Sequence, residues 1–245
     1  MTFKLDTATN ITVIITCVLT SVTIGTQILT QAAKPQWARS QSKAVEDVHS
    51  SITIIPKDHP TTGSASAKVA LIEFGDLQCP FCGKYERDTY PQLSHDFVDR
   101  GILEYVALHL PLPGHPFAIH AAQAAECALQ QGLYWPMRDR LFANQNSLTD
   151  ADLRNHAKLL NLDVGKFNRC FDGPQIADIQ RDASLADKFG IKSTPTFLIA
   201  VMQGGGLKPL KRINGAQPYQ LFKAALNEVF RREKLEWPSD ISAQS

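Results

Sequence analysis

The stretch from Val69 to Cys82, VALIEFGDLQCPFC, decides how the rest of the chain is read. Val69 to Phe74 is a short run of apolar and β-branched residues, the composition of a buried strand. Cys79-Pro80-Phe81-Cys82 follows directly and opens a helix, the context in which Cys-x-x-Cys carries redox chemistry. Two intervening residues hold the sulfurs within bonding distance, and the unpaired N–H groups and positive dipole end of the helix stabilise a thiolate at the first cysteine. Cys79 is therefore expected to be the exposed nucleophile and Cys82 the resolving thiol. Half of a zinc site is the competing reading, but zinc needs two further ligands and the sequence has no second Cys-x-x-Cys or His-x-x-x-His. A purely structural disulfide in so short a loop would be strained and reducible.

Glu73 stands in the same strand, six residues before Cys79. Alternation places it on the face of Val69 and Leu71, where a carboxyl is buried, its pKa is raised and it can accept and return the proton of Cys82. The alternative is an ion pair with Lys68.

Further out, a helical pattern with Tyr90, Leu93 and Phe97 at core spacing, kinked by Pro91, runs to Gly101 and gives way to a strand over Ile102 to Leu110. A helical block follows over Ala118–Gln131, Tyr134–Asn144, Thr149–Leu160, Val164–Phe171 and Gln175–Phe189, with Thr149 and Asp163 as caps. Strand character returns at Thr196–Val201, then come a Gly204-Gly205-Gly206 turn, a strand near Leu210–Ile213 and an amphipathic helix over Tyr219–Arg232. Before the motif, Ser51–Ile55 reads as another short strand. The order describes an α/β domain: a central sheet interrupted by an all-helical insertion.

These pieces resemble the DsbA-type thiol oxidoreductases of the thioredoxin fold. The resemblance rests on Glu73–Cys82, Ala125-Glu126-Cys127-Ala128 and Ser193-Thr194-Pro195-Thr196-Phe197, and covers roughly residues 51–235. It implies a proton-transfer role for Glu73, a cis bond at Thr194-Pro195 beside the Cys79 sulfur, and substrate contacts through Pro80, Phe81, Thr194 and Pro195. The likeness is strongest to the branch with a second cysteine pair. Cys127 and Cys170 are expected to form a structural disulfide across the insertion, the alternative being two buried free thiols. The dipeptide between the active cysteines is Pro-Phe, where the best-known oxidants of the family have Pro-His. His109, His115 and His120 flank the start of the insertion and read as surface or packing histidines in a loop bordering the active face.

Length and composition set the outer limits. The 245 residues are 44% hydrophobic, enough for a sizeable core, and 25 Lys+Arg against 24 Asp+Glu give no basic field for nucleic acid. Between Asp6 and Lys34 there is no charged residue, and Ile11 to Leu29 approaches the roughly 20 apolar residues that span a bilayer, so it reads as a transmembrane or signal-anchor helix. Its threonines fall on one stripe, and Cys17 sits in it as a small apolar residue. Cleavage near Ala32 or Ala33 is the alternative to retention. Lys34, Arg39 and Lys43 follow the segment and oppose export by the positive-inside rule, whereas the cysteine pairs favour it.

The expected organisation is a flank at 1–10, the anchor at 11–30, a linker at 31–50, the thioredoxin-like domain at 51–115 and 191–235 around the insertion at 116–190, and a tail at 236–245. The expected activity is thiol:disulfide exchange, with no metal or organic cofactor, on reduced exported proteins. The resemblance adds a membrane partner that reoxidises or reduces the pair. A reductase or isomerase on the same fold, and a peptide-binding or chaperone module with incidental cysteines, are the other readings.

Overall fold

Apolar residues on both faces of Val69–Phe74 call for cover on both sides. The computed structural model, which describes residues 44–174 and 177–238, supplies it. In chain order the elements are β1 (Val45–Asp47), β2 (Thr61–Gly63), β3 (Val69–Gly75), α1 (Pro80–Asp88), α2 (Tyr90–Leu93) and β4 (Leu103–His109). The helices α3 (Ala118–Leu129), α4 (Tyr134–Ala143), α5 (Asp150–Leu159), α6 (Val164–Phe171) and α7 (Ala177–Lys188) follow, then β5 (Thr196–Gln203), β6 (Gly206–Asn214) and α8 (Tyr219–Arg232). The sheet order is β1-β6-β5-β3-β4-β2. β3 and β4 are parallel, joined through α1 and α2, and every other pairing is antiparallel.

Strand periodicity sorts the core. Val69, Leu71, Tyr105, Phe197 and Ile199 face Tyr85 of α1 and Phe222, Leu226 and Val229 of α8. Ala70, Ile72, Phe74, Val106 and Leu198 face the opposite way, onto Ala186 at the end of α7 and the following Phe189 and Ile191. A third cluster, built on the alanines of α3 with Met137, Leu141, Leu153 and Phe167, fills the insertion and reaches Cys79 and Cys82. The β5–β6 hairpin turns on Gly204 and Gly205, both with positive φ (62° and 84°), the geometry a two-residue hairpin demands.

Pro91 marks the break expected in the helix after the motif. α1 stops at Asp88, Thr89 leaves helical geometry, and the chain resumes as α2 with Pro91 in its first turn, where a missing N–H is tolerated. Thr149 caps α5 with a complete capping box through Asp152, and Asp163 caps α6 by accepting from Lys166 N.

Three parts of the expected plan change. Ser51–Ile55 is not a strand: only Ile54 bridges, to Leu207, before Pro56 starts a 3-10 turn. Val45–Asp47, assigned to the linker, pairs with Lys211–Ile213 as the edge strand β1. α7, counted with the insertion, packs on the sheet. The anchor expected at 11–30, its threonine stripe and Cys17 lie outside the described residues. Among the described residues no helix is long and apolar enough to cross a membrane.

Candidate active site

The site forms where β3 ends. Asp76 O accepts from Cys79 N (3.0 Å) as the chain turns. Cys79 becomes the N-cap of α1, with Pro80 in the first turn, where its lack of an N–H costs nothing. Cys82 lies one turn in and is fully buried. Cys79 is also covered, at 2% exposure, which corrects the expectation of an exposed nucleophile. The Thr194–Pro195 turn, cis in this structure, lies against it, and the Cys79 thiol donates to Thr194 O at 3.5 Å. Exposure at the motif falls instead on Phe81, at 64%.

The two sulfurs are driven apart electrostatically. A hydrogen bond from the Cys82 side chain is the largest of the effects that bring the Cys79 thiol down to about 5, with burial opposing it and the backbone N–H groups of Cys82 and Phe81 assisting. Cys82 moves the other way: burial first, then its bond to Cys79 and the negative charge of Glu73, hold its thiol well above the ordinary range. The contact with Thr194 O serves only a protonated Cys79, whereas the Cys82 thiol, the Thr194 side chain and the helix N–H groups serve the thiolate.

Glu73 is buried on the face that alternation assigned to it, but its partner is not Lys68. Arg138 of α4 donates to Glu73 Oε2 at 2.7 Å and Tyr105 OH donates to the same oxygen at 2.8 Å. Arg138 also pairs with Glu86 of α1 at 2.8 Å. Its guanidinium lies 4.8 Å from the Phe142 ring centroid and 5.4 Å from that of Tyr90. Burial pushes the Glu86 carboxyl up to about 7, against the attraction of Arg138. The insertion thus delivers the cation that compensates the buried acid of the strand.

A second residue from the insertion reaches the motif itself. Gln145 Nε2 donates to Leu77 O (3.0 Å) and Cys79 O (2.9 Å). Gly83 makes room for it, since a Cβ there would come within 2.2 Å of Gln145 Oε1. Neither Arg138 nor Gln145 carries a sequence signal. An arginine beside Asp139 and Arg140 reads as a solvated helix charge, and a glutamine between helices reads as loop.

The remaining residues singled out by the sequence separate. Cys127 and Cys170 are bonded to each other, joining α3 to α6. His109 is buried against Glu126 (3.1 Å), and His120 pairs with Asp150 at the surface (2.5 Å). His115 pairs with Asp76, beside the motif (2.6 Å). Among the described residues no group of three or more His, Cys, Asp or Glu side chains is arranged to hold a metal.

Residues 56–213, from the turn before β2 to the end of β6, match a family model described as thioredoxin. The chain belongs to the thioredoxin family. Within it, the chain is similar to a single-substitution variant of α-DsbA1 of Wolbachia pipientis, with 25% identity and a TM-score of 0.62 over 71% of this chain and 92% of that one. BdbD of Bacillus subtilis, in its oxidised form, superposes with a TM-score of 0.62 at 23% identity, covering 74% of this chain and 98% of that one. The fold is the DsbA-like variant of thioredoxin. Among curated proteins, 145 residues (58% of this chain) are 39% identical to part of the Na(+)/H(+) antiporter NhaA 3 of Salinispora tropica, covering 22% of it. For NhaA 1 of Salinispora arenicola the figures are 35% over 181 residues, 73% of this chain and 26% of that protein. This thioredoxin-family chain spans about a quarter of the length of these relatives.

Proposed function

We propose that the protein is a thiol:disulfide oxidoreductase acting as a DsbA-like oxidase, which passes a Cys79–Cys82 disulfide to reduced cysteines of exported proteins. The observation that carries the reading is the opposed displacement of the two thiols, Cys79 brought down to about 5 and Cys82 pushed up. A stabilised thiolate at Cys79 favours the reduced enzyme, and so favours handing the disulfide on.

A substrate thiolate attacks Cys79 Sγ, the bond to Cys82 breaks, and Cys82 leaves with the electron pair and is protonated from water by way of Glu73. A second substrate thiolate then attacks the substrate sulfur of the mixed disulfide. Cys79 leaves as its thiolate, and the substrate carries away the new disulfide. Exposed Phe81, with Pro80, meets the substrate's apolar side chains, and the backbone at Thr194–Pro195 pairs with its extended segment.

Export of the catalytic domain, an anchor at 11–30 and a membrane partner that reoxidises the pair complete the reading. Substrate thiols stay oxidised only outside the reducing cytosol.

The test is the reduction potential of the pair. A value near −120 mV supports an oxidase, and one near −270 mV a reductase. A protein that keeps its function with both Cys79 and Cys82 changed to Ala is a binding module instead.

A further inference from the structure

Asp76 grips both sulfur-bearing residues with its main chain. Its N–H donates to Cys82 Sγ at 3.5 Å, and its C=O accepts from Cys79 N at 3.0 Å. Its carboxylate, with no side-chain exposure, does not face the sulfurs; it points to the loop after β4. Oδ1 accepts from Gln78 N (2.8 Å), and Oδ2 accepts from Leu112 N (2.9 Å) and from His115 Nδ1 (2.6 Å). A carboxylate only accepts, so Nδ1 carries the hydrogen. His115 is the one side chain among the described residues that hydrogen-bonds this acid, and it is itself 24% exposed. The same loop is tied a second time, where Phe117 N donates to Gln78 Oε1 at 2.7 Å.

We propose that His115 is a positioning residue for thiol exchange, which fixes through Asp76 the peptide that holds Cys82. The inference rests on the reading of Cys79 and Cys82 as an exchange pair. A buried carboxylate deprived of its side-chain donor turns toward water, and the peptide it belongs to turns with it. The N–H of Asp76 is then drawn away from Cys82 Sγ. That N–H favours the Cys82 thiolate against the burial that disfavours it. The affected step is ring closure from a Cys79 mixed disulfide. Cys82 gives its proton to Glu73 and attacks Cys79 Sγ, the Cys79–Cys82 bond forms, and the bond to the small thiol breaks, releasing it as a thiolate.

The experiment uses the reduced full-length protein and oxidised glutathione, with acid quenching to separate the Cys79–glutathione adduct from the closed disulfide. His115→Phe keeps the ring's bulk and loses the donor, and closure at pH 7 is expected to slow roughly tenfold, as for loss of one hydrogen bond to a charged group. Its pH–rate curve moves to higher pH. His115→Asn, whose Nδ2 takes the place of Nδ1, restores the wild-type rate. Closure and pH profile unchanged in His115→Phe, with only thermal stability lowered, overturn the proposal and leave a structural histidine. Asp76→Ala, which removes the acceptor of His115 Nδ1, is the second variant, should His115→Phe fail to fold, and unchanged closure there overturns it equally. Wild-type protein that forms no adduct at Cys79 overturns the exchange reading itself, and this inference with it.

Discussion

Cys79 and Glu86 are two acids displaced in opposite directions at one helix, α1, and each leaves its own mark on stability. Cys79 is brought from an ordinary 9.0 down to about 5, so between those values the unfolded chain holds a proton that the folded one has released. Stability of the reduced protein therefore gains as pH rises from about 5; the gain is complete above the unfolded value and is lost as pH falls back through the folded one. Glu86 is pushed from 4.5 up to about 7, and its ionisation costs stability across that window. Reduced wild type compared with reduced Cys79→Ser isolates the cysteine. The difference in unfolding free energy should grow with pH from about 5 until the unfolded value near 9.0, while thiolate absorbance of the folded protein rises with its midpoint at about 5. A midpoint at about 8.5 or higher, the range of a free cysteine, removes the nucleophile assignment. Glu73→Gln is expected to slow exchange most at low pH, where Cys82 depends on a base to lose its proton, and pH–rate profiles of adduct closure check it.

At the scale of elements, α4 and β3 are joined by the Arg138–Glu73 ion pair. Replacing Arg138 with Met leaves the Glu73 carboxylate buried without its cation, and should cost about 3–5 kcal/mol in urea unfolding. Glu73→Gln combined with Arg138→Met should recover the share of that loss that belongs to Glu73, while Glu86 still lacks its cation. A double variant as unstable as Arg138→Met alone would mean that the arginine matters instead as the partner of Glu86 and for packing on Phe142 and Tyr90. The elements themselves were largely legible. Val164–Phe171 and Tyr219–Arg232 have the boundaries their amphipathic patterns and caps indicate, and the burial of Glu73 follows from strand alternation. What was not legible depends on partners distant in sequence. β1 and β2 are three residues each and exist by pairing with β6 and β4, so they carry no period to detect. Arg138, Gln145 and the carboxylate of Asp76 look like ordinary polar residues until the fold brings them to the motif.

Across the whole molecule, the insertion is held to itself by the Cys127–Cys170 bond, which closes a loop with a sequence separation of 43. On the chain-entropy model this restricts the unfolded chain by about 4 kcal/mol. The variant carrying both Cys127→Ala and Cys170→Ala should lose stability on that order while its Cys79 thiolate still titrates near 5, which urea unfolding and thiol absorbance measure separately. A displaced Cys79 titration in that variant would show that the bond also shapes the motif. The arginine that α4 sends to the strand constrains engineering. A helical block grafted from another member of the fold has to bring a cation to this one place, or the recipient strand has to give up its acid. Two parts of the chain that look interchangeable as modules are in this respect a single unit.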